Sequence, residues 1–284
     1  MVSNLQVDVY VAPAAPIATG HPDPSKRWFS PISCTLIQGP TSAVLVDTPA
    51  TIELSQGLAS WIKKTAPEKK LLYIYTETTS SGTPLFSVIS QRQNALPLPP
   101  LLMASGSNGL AVWRSGTSSF PRGRSLATSI SPTLCLRTES FISTATCSKA
   151  STYRTRTQML RHFFTFPTSN SSCAEYIVYG GCYQFLGEAN TPEKKQMWLQ
   201  SLDQIAALDP HIVVPGHKRA SQIDGSYLIE ATRAYILAFE EELEKAGNSE
   251  KLEEAMIRRY PHRWNRFLLE QSCQRTWSAL SLED

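Results

Sequence analysis

Val213-Val214-Pro215-Gly216-His217-Lys218-Arg219 is a short β-branched run that breaks at proline and glycine and delivers a histidine at its C-terminal end. Strand ends of this kind are where side chains converge on open sites. Just upstream, His211-Ile212 starts the same strand and Asp209-Pro210 separates it from a helix. That helix opens with Thr191 as N-cap and Pro192 at its first position, and Trp198, Leu202, Ile205 and Leu208 form its apolar stripe. Downstream, residues 227–246 read as a long helix with Tyr235, Leu237, Phe239 and Leu243 among its apolar positions and Glu240-Glu241-Glu242 solvated. Helical stretches at residues 252–258 and 264–272 complete the chain.

The N-terminal part carries the same alternation. Residues 5–12 and 31–38 read as strands, Gly39-Pro40-Thr41-Ser42 as the hairpin turn, and Ala43-Val44-Leu45-Val46-Asp47 as an apolar run that stops on a carboxylate. Ile52, Leu54, Leu58, Trp61 and Ile62 then have approximate helical spacing, with Lys63-Lys64 in the last turn where they complement the helix dipole. Leu71-Leu72-Tyr73-Ile74-Tyr75 is a buried strand.

Between these parts the character changes. Residues 77–175 are roughly one third serine and threonine and contain no aspartate. The formal net charge of +3 is modest, and no apolar run reaches membrane-spanning length. Met1-Val2-Ser3-Asn4-Leu5 lacks the apolar region of a signal peptide, so a soluble, cytoplasmic protein is expected. The six cysteines show neither metal nor disulfide spacing. The basic residues are scattered, which argues against a nucleic-acid partner.

Phe29-Ser30-Pro31-Ile32-Ser33-Cys34 through Val46-Asp47-Thr48-Pro49, followed by Tyr73-Ile74-Tyr75-Thr76, resembles the opening of a metallo-β-lactamase superfamily hydrolase. Tyr179-Gly180-Gly181-Cys182-Tyr183-Gln184, Gly187-Glu188-Ala189-Asn190-Thr191 and the segment from Val213 to Arg219 resemble its second half. The resemblance covers about two thirds of the chain with order and spacing kept. It implies an α+β fold, an αββα sandwich over residues 1–246 with 247–284 as a C-terminal helical extension. It also implies one or two metal ions, usually zinc, that activate a water for attack on an ester, thioester, amide or lactone of a small-molecule substrate. The superfamily includes iron oxidoreductases with similar ligand sets, so the metal stays open.

In that family the strand matching Leu71 to Tyr75 runs into His-x-His-x-Asp-His. Here Thr76 is followed by Glu77-Thr78-Thr79-Ser80-Ser81-Gly82, without one of those ligands. The later Gly-Asp position is filled by Tyr176, preceded by Glu175, and His162 is the histidine nearest to it. The genetic code accounts for this. A UCN serine codon re-read one base earlier has U at its second position and specifies an apolar residue, so serine-rich text can be displaced strand text. Across residues 165–175 that offset permits His-Val-Pro-Asp-Leu-Glu-Leu-Val-Val-Cys-Gly, which alternates as a strand should. The same offset permits Asp-Thr-Asp-Thr-Asp-Ala-Pro-Ser-Phe-Phe across residues 154–164 and Lys-Arg-Phe-Pro around residues 93–97. Residues 77–175 therefore read as translated out of frame, so the central portion of the fold is expected to be incomplete or disordered and to pack poorly. The alternative is a natural low-complexity insertion, but an insertion would leave the ligand motifs beside it.

Two site residues follow. His217, judged alone, is a loop histidine bonded to backbone; the resemblance makes it a metal ligand. Asp47, judged alone, caps nearby amides; the resemblance makes it a support for the ligand loop. Tyr183 and Gln184 are expected to face the site, His211 and His262 to lie at the surface, and His21 in a loop; Lys218 and Arg219 either steer an anionic substrate or, as the default, are solvated. The expected function is a metal-dependent hydrolase impaired by missing ligands, or else a non-catalytic scaffold or binding protein built on that fold.

Overall fold

The computed structural model describes residues 5–76, 102–105, 109–112, 150–154, 160–166, 171–173 and 177–281. Strand β1 (Gln6–Ala12) pairs antiparallel with β4 (Ile32–Gln38), which pairs antiparallel with β5 (Ser42–Val46). Gly39 N–H donates to the Ser42 carbonyl at 2.8 Å and closes the expected hairpin. Strands β6 (Lys70–Thr76) and β7 (Leu102–Ser105) add in parallel, and β8 (Gly109–Val112) antiparallel, giving a sheet ordered β1-β4-β5-β6-β7-β8. A short ribbon of β2 (Ala15–Pro16) and β3 (Trp28–Phe29), which the sequence did not announce, folds beside it.

Helix α1 (Ile52–Thr65) covers the first sheet. Thr51 Oγ1 accepts from Leu54 N–H and starts it, and Lys63 and Lys64 occupy the last turn. Leu58 is fully buried among Leu36, Leu45 and Ile74, with Trp61 and Ile62 at the margin of that cluster. The amphipathic spacing thus does what it promised, although Ile52 is exposed.

The second sheet is ordered β12-β11-β10-β9, with β9 (Ala150–Arg154), β10 (Leu160–Phe166), β11 (Ser171–Cys173) and β12 (Ile212–Val214). Its helices are α2 (Pro192–Ala206), α3 (Tyr227–Lys245), α4 (Ser249–Arg259) and α5 (Arg266–Leu280). Val213 of β12 shares one apolar cluster with Trp198 and Ile205 of α2, Ile229 and Tyr235 of α3, Leu252 of α4 and Leu269 of α5. Residues 247–281 are therefore packed into the same core as the rest of the second half. Glu240 to Glu242 do not simply face water. Glu240 pairs with the buried Lys195, and Glu241 and Glu242 pair with Arg259 and Lys245.

The fold is mixed α+β, two sheets each carrying helices, as expected. Strands β7 to β11 fall inside residues 77–175, and their backbones pair in both sheets. The substituted ligand segment 77–82, Glu175 and most of the serine-rich stretch lie outside the described residues. Among the described residues no helix is long and apolar enough to cross a membrane.

Candidate metal centre

Val178 to Gly180 runs parallel to Gly216-His217 as a single-bridge extension of the second sheet's edge. Gly216 N–H donates to the Val178 carbonyl at 3.3 Å and Gly180 N–H to the His217 carbonyl at 2.8 Å. Glycine at 180 is required by this approach. A Cβ there would stand 2.6 Å from Lys218 Cβ and from Gln222 Oε1, and 3.0 Å from the His217 carbonyl oxygen. Gln222 Oε1 also accepts from Gly181 N–H at 2.6 Å, so both glycines are held from the loop that follows His217.

The two halves meet at this histidine. Ser33 N–H donates to the Gly216 carbonyl at 2.8 Å, and His217 Nδ1 lies 2.8 Å from the Pro31 carbonyl oxygen. A carbonyl only accepts, so Nδ1 carries the proton and the lone pair of the neutral ring sits on Nε2. Phe29 meets the ring edge-on at a centroid distance of 5.9 Å, and Tyr179 lies at 5.5 Å from the other half. At 1% exposure the ring is desolvated, which pushes its pKa from 6.5 down to about 4 despite the opposing bond to Pro31. His217 is a neutral, oriented imidazole at physiological pH, the state in which histidines bind metals.

Asp47 follows β5 in the left-handed backbone region at φ 65°, a conformation aspartate tolerates because its short side chain can bond locally. Its Oδ1 accepts from Thr48 N–H at 2.8 Å. Burial pushes the carboxyl from 3.8 up to about 7 against that single bond. No hydrogen bond or ion pair joins Asp47 to His217 among the described residues. The capping contact anticipated from sequence is therefore present, and support of a ligand loop at 77–82 falls outside the described residues.

Three other expectations need correction. Tyr183 and Gln184 do not face an open site: both are fully buried, with Tyr183 Oη donating to the Tyr260 carbonyl and Gln184 Nε2 to the Thr232 carbonyl. Lys218 is not solvated; it is buried against Asp224 Oδ1 at 2.6 Å and the Gln222 carbonyl at 3.2 Å. Arg219 folds over Trp264 at 6.0 Å and donates to the His262 carbonyl. Packing against the helices and the turn at Gln222 take up Tyr183, Gln184 and Lys218, which local sequence does not reveal. His211 and His262 are exposed as expected, and His21 sits in a loop with Nε2 3.2 Å from Glu270 Oε1.

Among the described residues no group of three or more His, Cys, Asp or Glu side chains is placed to hold a metal ion. The fit to zinc among the described residues is therefore partial: an oriented imidazole, with the further ligands that a zinc site needs not found among those residues.

Sequence reading also missed a cleft of about 700 Å³, lined by Trp28 and by the segment around Trp264 together with Arg219, Arg263 and Arg266. The basic residues are scattered along the chain but gathered here by the fold. The string Pro261-His262-Arg263-Trp264-Asn265-Arg266 was the available signal.

No family model matches the chain, and no curated protein matches it. Among solved structures it is similar to the metallo-β-lactamase DIM-1 exposed to ceftazidime, at 13% identity over 84% of this chain and 98% of that one, TM-score 0.46. It is similar to a metallo-β-lactamase from Erythrobacter litoralis, at 14% identity over 81% and 88%, TM-score 0.46. A third is the metallo-β-lactamase FIM-1 from Pseudomonas aeruginosa in its mono-zinc form, at 12% identity over 82% and 91%, TM-score 0.46.

Proposed function

We propose that this chain has the frame of a metallo-β-lactamase-like, metal-dependent hydrolase whose metal centre is incomplete, so that it does not turn over esters, thioesters, amides or lactones. The observation that carries the reading is His217: buried, neutral, and fixed by the Pro31 carbonyl so that Nε2 holds the lone pair. A zinc ion, were its ligand set complete, would supply an activated water. The residues at hand do not complete that set, so no catalytic step is assigned to them. The sequence at 77–82 supports this, because histidine and aspartate are absent from the position where the family places its main ligand cluster. Small molecules are the substrate class that the intact pattern would serve. A non-catalytic binding protein is the second reading, and the aromatic and basic cleft favours it.

Hydrolysis tests the proposal. The present chain is expected to leave activated ester, thioester and lactone substrates at the background rate with or without a chelator. A version re-read one base earlier across the codons for residues 77–175 is expected to hydrolyse at least one of them and to lose that activity on chelation. Chelator-sensitive turnover by the present chain would overturn the reading.

A further inference from the structure

The cleft joins the two halves on the side of β3 and the start of α5. Asn265 is in the left-handed region at φ 69°, caps α5 by accepting from Leu268 N–H at 3.1 Å, and donates through Nδ2 to Ser30 Oγ at 2.6 Å. That bond fixes the floor. Trp28 from one half and Trp264 from the other stand on the walls, each 46% exposed. Half-exposed tryptophans facing one cavity offer flat apolar surface that folding leaves unused.

Its charge is equally unspent. Arg263 is held by cation–π contact with Tyr235 and Tyr260 at 4.7 and 5.1 Å and donates to the Gly180 and Cys182 carbonyls. Arg219 donates to a carbonyl, and its Nε is buried with no acceptor. Neither enters a salt bridge with any carboxylate among the described residues, nor does Arg266. Among the described residues no acidic side chain lines the cleft. Asp23, outside it, feels Arg266 only through space and is occupied by Ser25. Elsewhere several cations have carboxylate partners, Lys26 with Glu253 and Glu270, Lys218 with Asp224, Arg233 with Asp203 and Arg259 with Glu241, while others, Arg27 and Lys69 among them, donate to carbonyls alone; the cleft differs in gathering three guanidinium groups at one place. Three guanidinium groups without a carboxylate partner among the described residues, beside a cavity of small-molecule size, suit an anion that brings its own ring.

We propose that this cleft binds a small planar aromatic carboxylate, its ring against Trp28 and Trp264 and its carboxylate toward Arg266 and Arg219. The planar fork of arginine matches a carboxylate bidentately, and a flat ring gains most from two tryptophan faces. The inference does not rest on a metal at His217.

The test is calorimetric titration of the full chain with 2-naphthoate, in parallel with neutral 2-naphthamide and with inorganic phosphate. Naphthoate is expected to bind about tenfold more tightly than the amide or phosphate. Its affinity should weaken with added salt and be unchanged by a chelator. Arg266→Gln and Trp28→Ala, both at non-buried positions, are each expected to weaken it about fivefold or more, with unaltered circular dichroism. No saturable binding of naphthoate overturns the proposal. Equal affinity for the amide removes the carboxylate, equal affinity for phosphate removes the ring, and abolition by chelator moves the ligand onto a metal; each of these also overturns it.

Discussion

His217→Ala is expected to lower the unfolding free energy by about 3 kcal/mol near neutral pH. Two losses combine. The Pro31 carbonyl, buried and bonded to Nδ1 at 2.8 Å, is left without its donor, and the space between Phe29 and Tyr179 is left without a ring. Because Pro31 opens β4 and His217 follows β12, the lost contact is one that joins the halves. Urea denaturation with an unchanged dependence on denaturant reads the effect directly. His217→Leu restores much of the packing but not the donor, and is expected to recover about half of the loss. A change below about 1 kcal/mol for the alanine variant would mean that the ring is not a structural joint.

The second expectation concerns pH and couples His217 with Asp47. The folded pKa of His217 is depressed from 6.5 to about 4, so between those values the unfolded chain binds a proton that the native chain refuses. Its stabilising contribution is complete above 6.5 and lost as pH falls toward 4. The folded pKa of Asp47 is raised from 3.8 to about 7, so there the native chain keeps a proton that the unfolded chain has released. Its contribution is complete below 3.8 and lost as pH rises toward 7. Across the shared window the two slopes oppose each other and nearly cancel. Asp47→Asn removes one of them, and its stability is then expected to climb by about 3 kcal/mol from pH 4 to 6.5 relative to the parent chain. Denaturation curves across that window decide it. An Asp47→Asn profile parallel to the parent's would show that the carboxyl is not held protonated.

Much of the frame was legible because its signals are local. Thr191-Pro192 starts α2 where a capping residue and N1 proline should, and the apolar run from Ala43 to Val46 stops on Asp47 because the backbone turns into the left-handed region there. The orientation of His217 was not legible. It depends on Pro31, distant in sequence, and strand periodicity carries no information about a carbonyl on another element. Lys218 read as solvated because its partner, Asp224, reaches it only after the loop folds back through Gln222. Tyr183 and Gln184 looked like site residues because they sit beside the Gly180-Gly181 pair, yet α3 and α5 close over them. The cleft was hidden for the opposite reason: its arginines lie in two segments distant in sequence, which meet where Arg219 donates to the His262 carbonyl and folds over Trp264.

The proposal that the metal centre is incomplete is tested most directly by elemental analysis of the purified chain after equilibration with zinc and exhaustive dialysis. If His217 is the sole ligand, as proposed, it cannot hold zinc against dialysis when about three protein ligands are required, so zinc is expected well below one ion per chain and unchanged in the His217→Ala variant. One or two ions retained per chain, and lost with His217→Ala, would contradict the account and establish a complete site around that histidine.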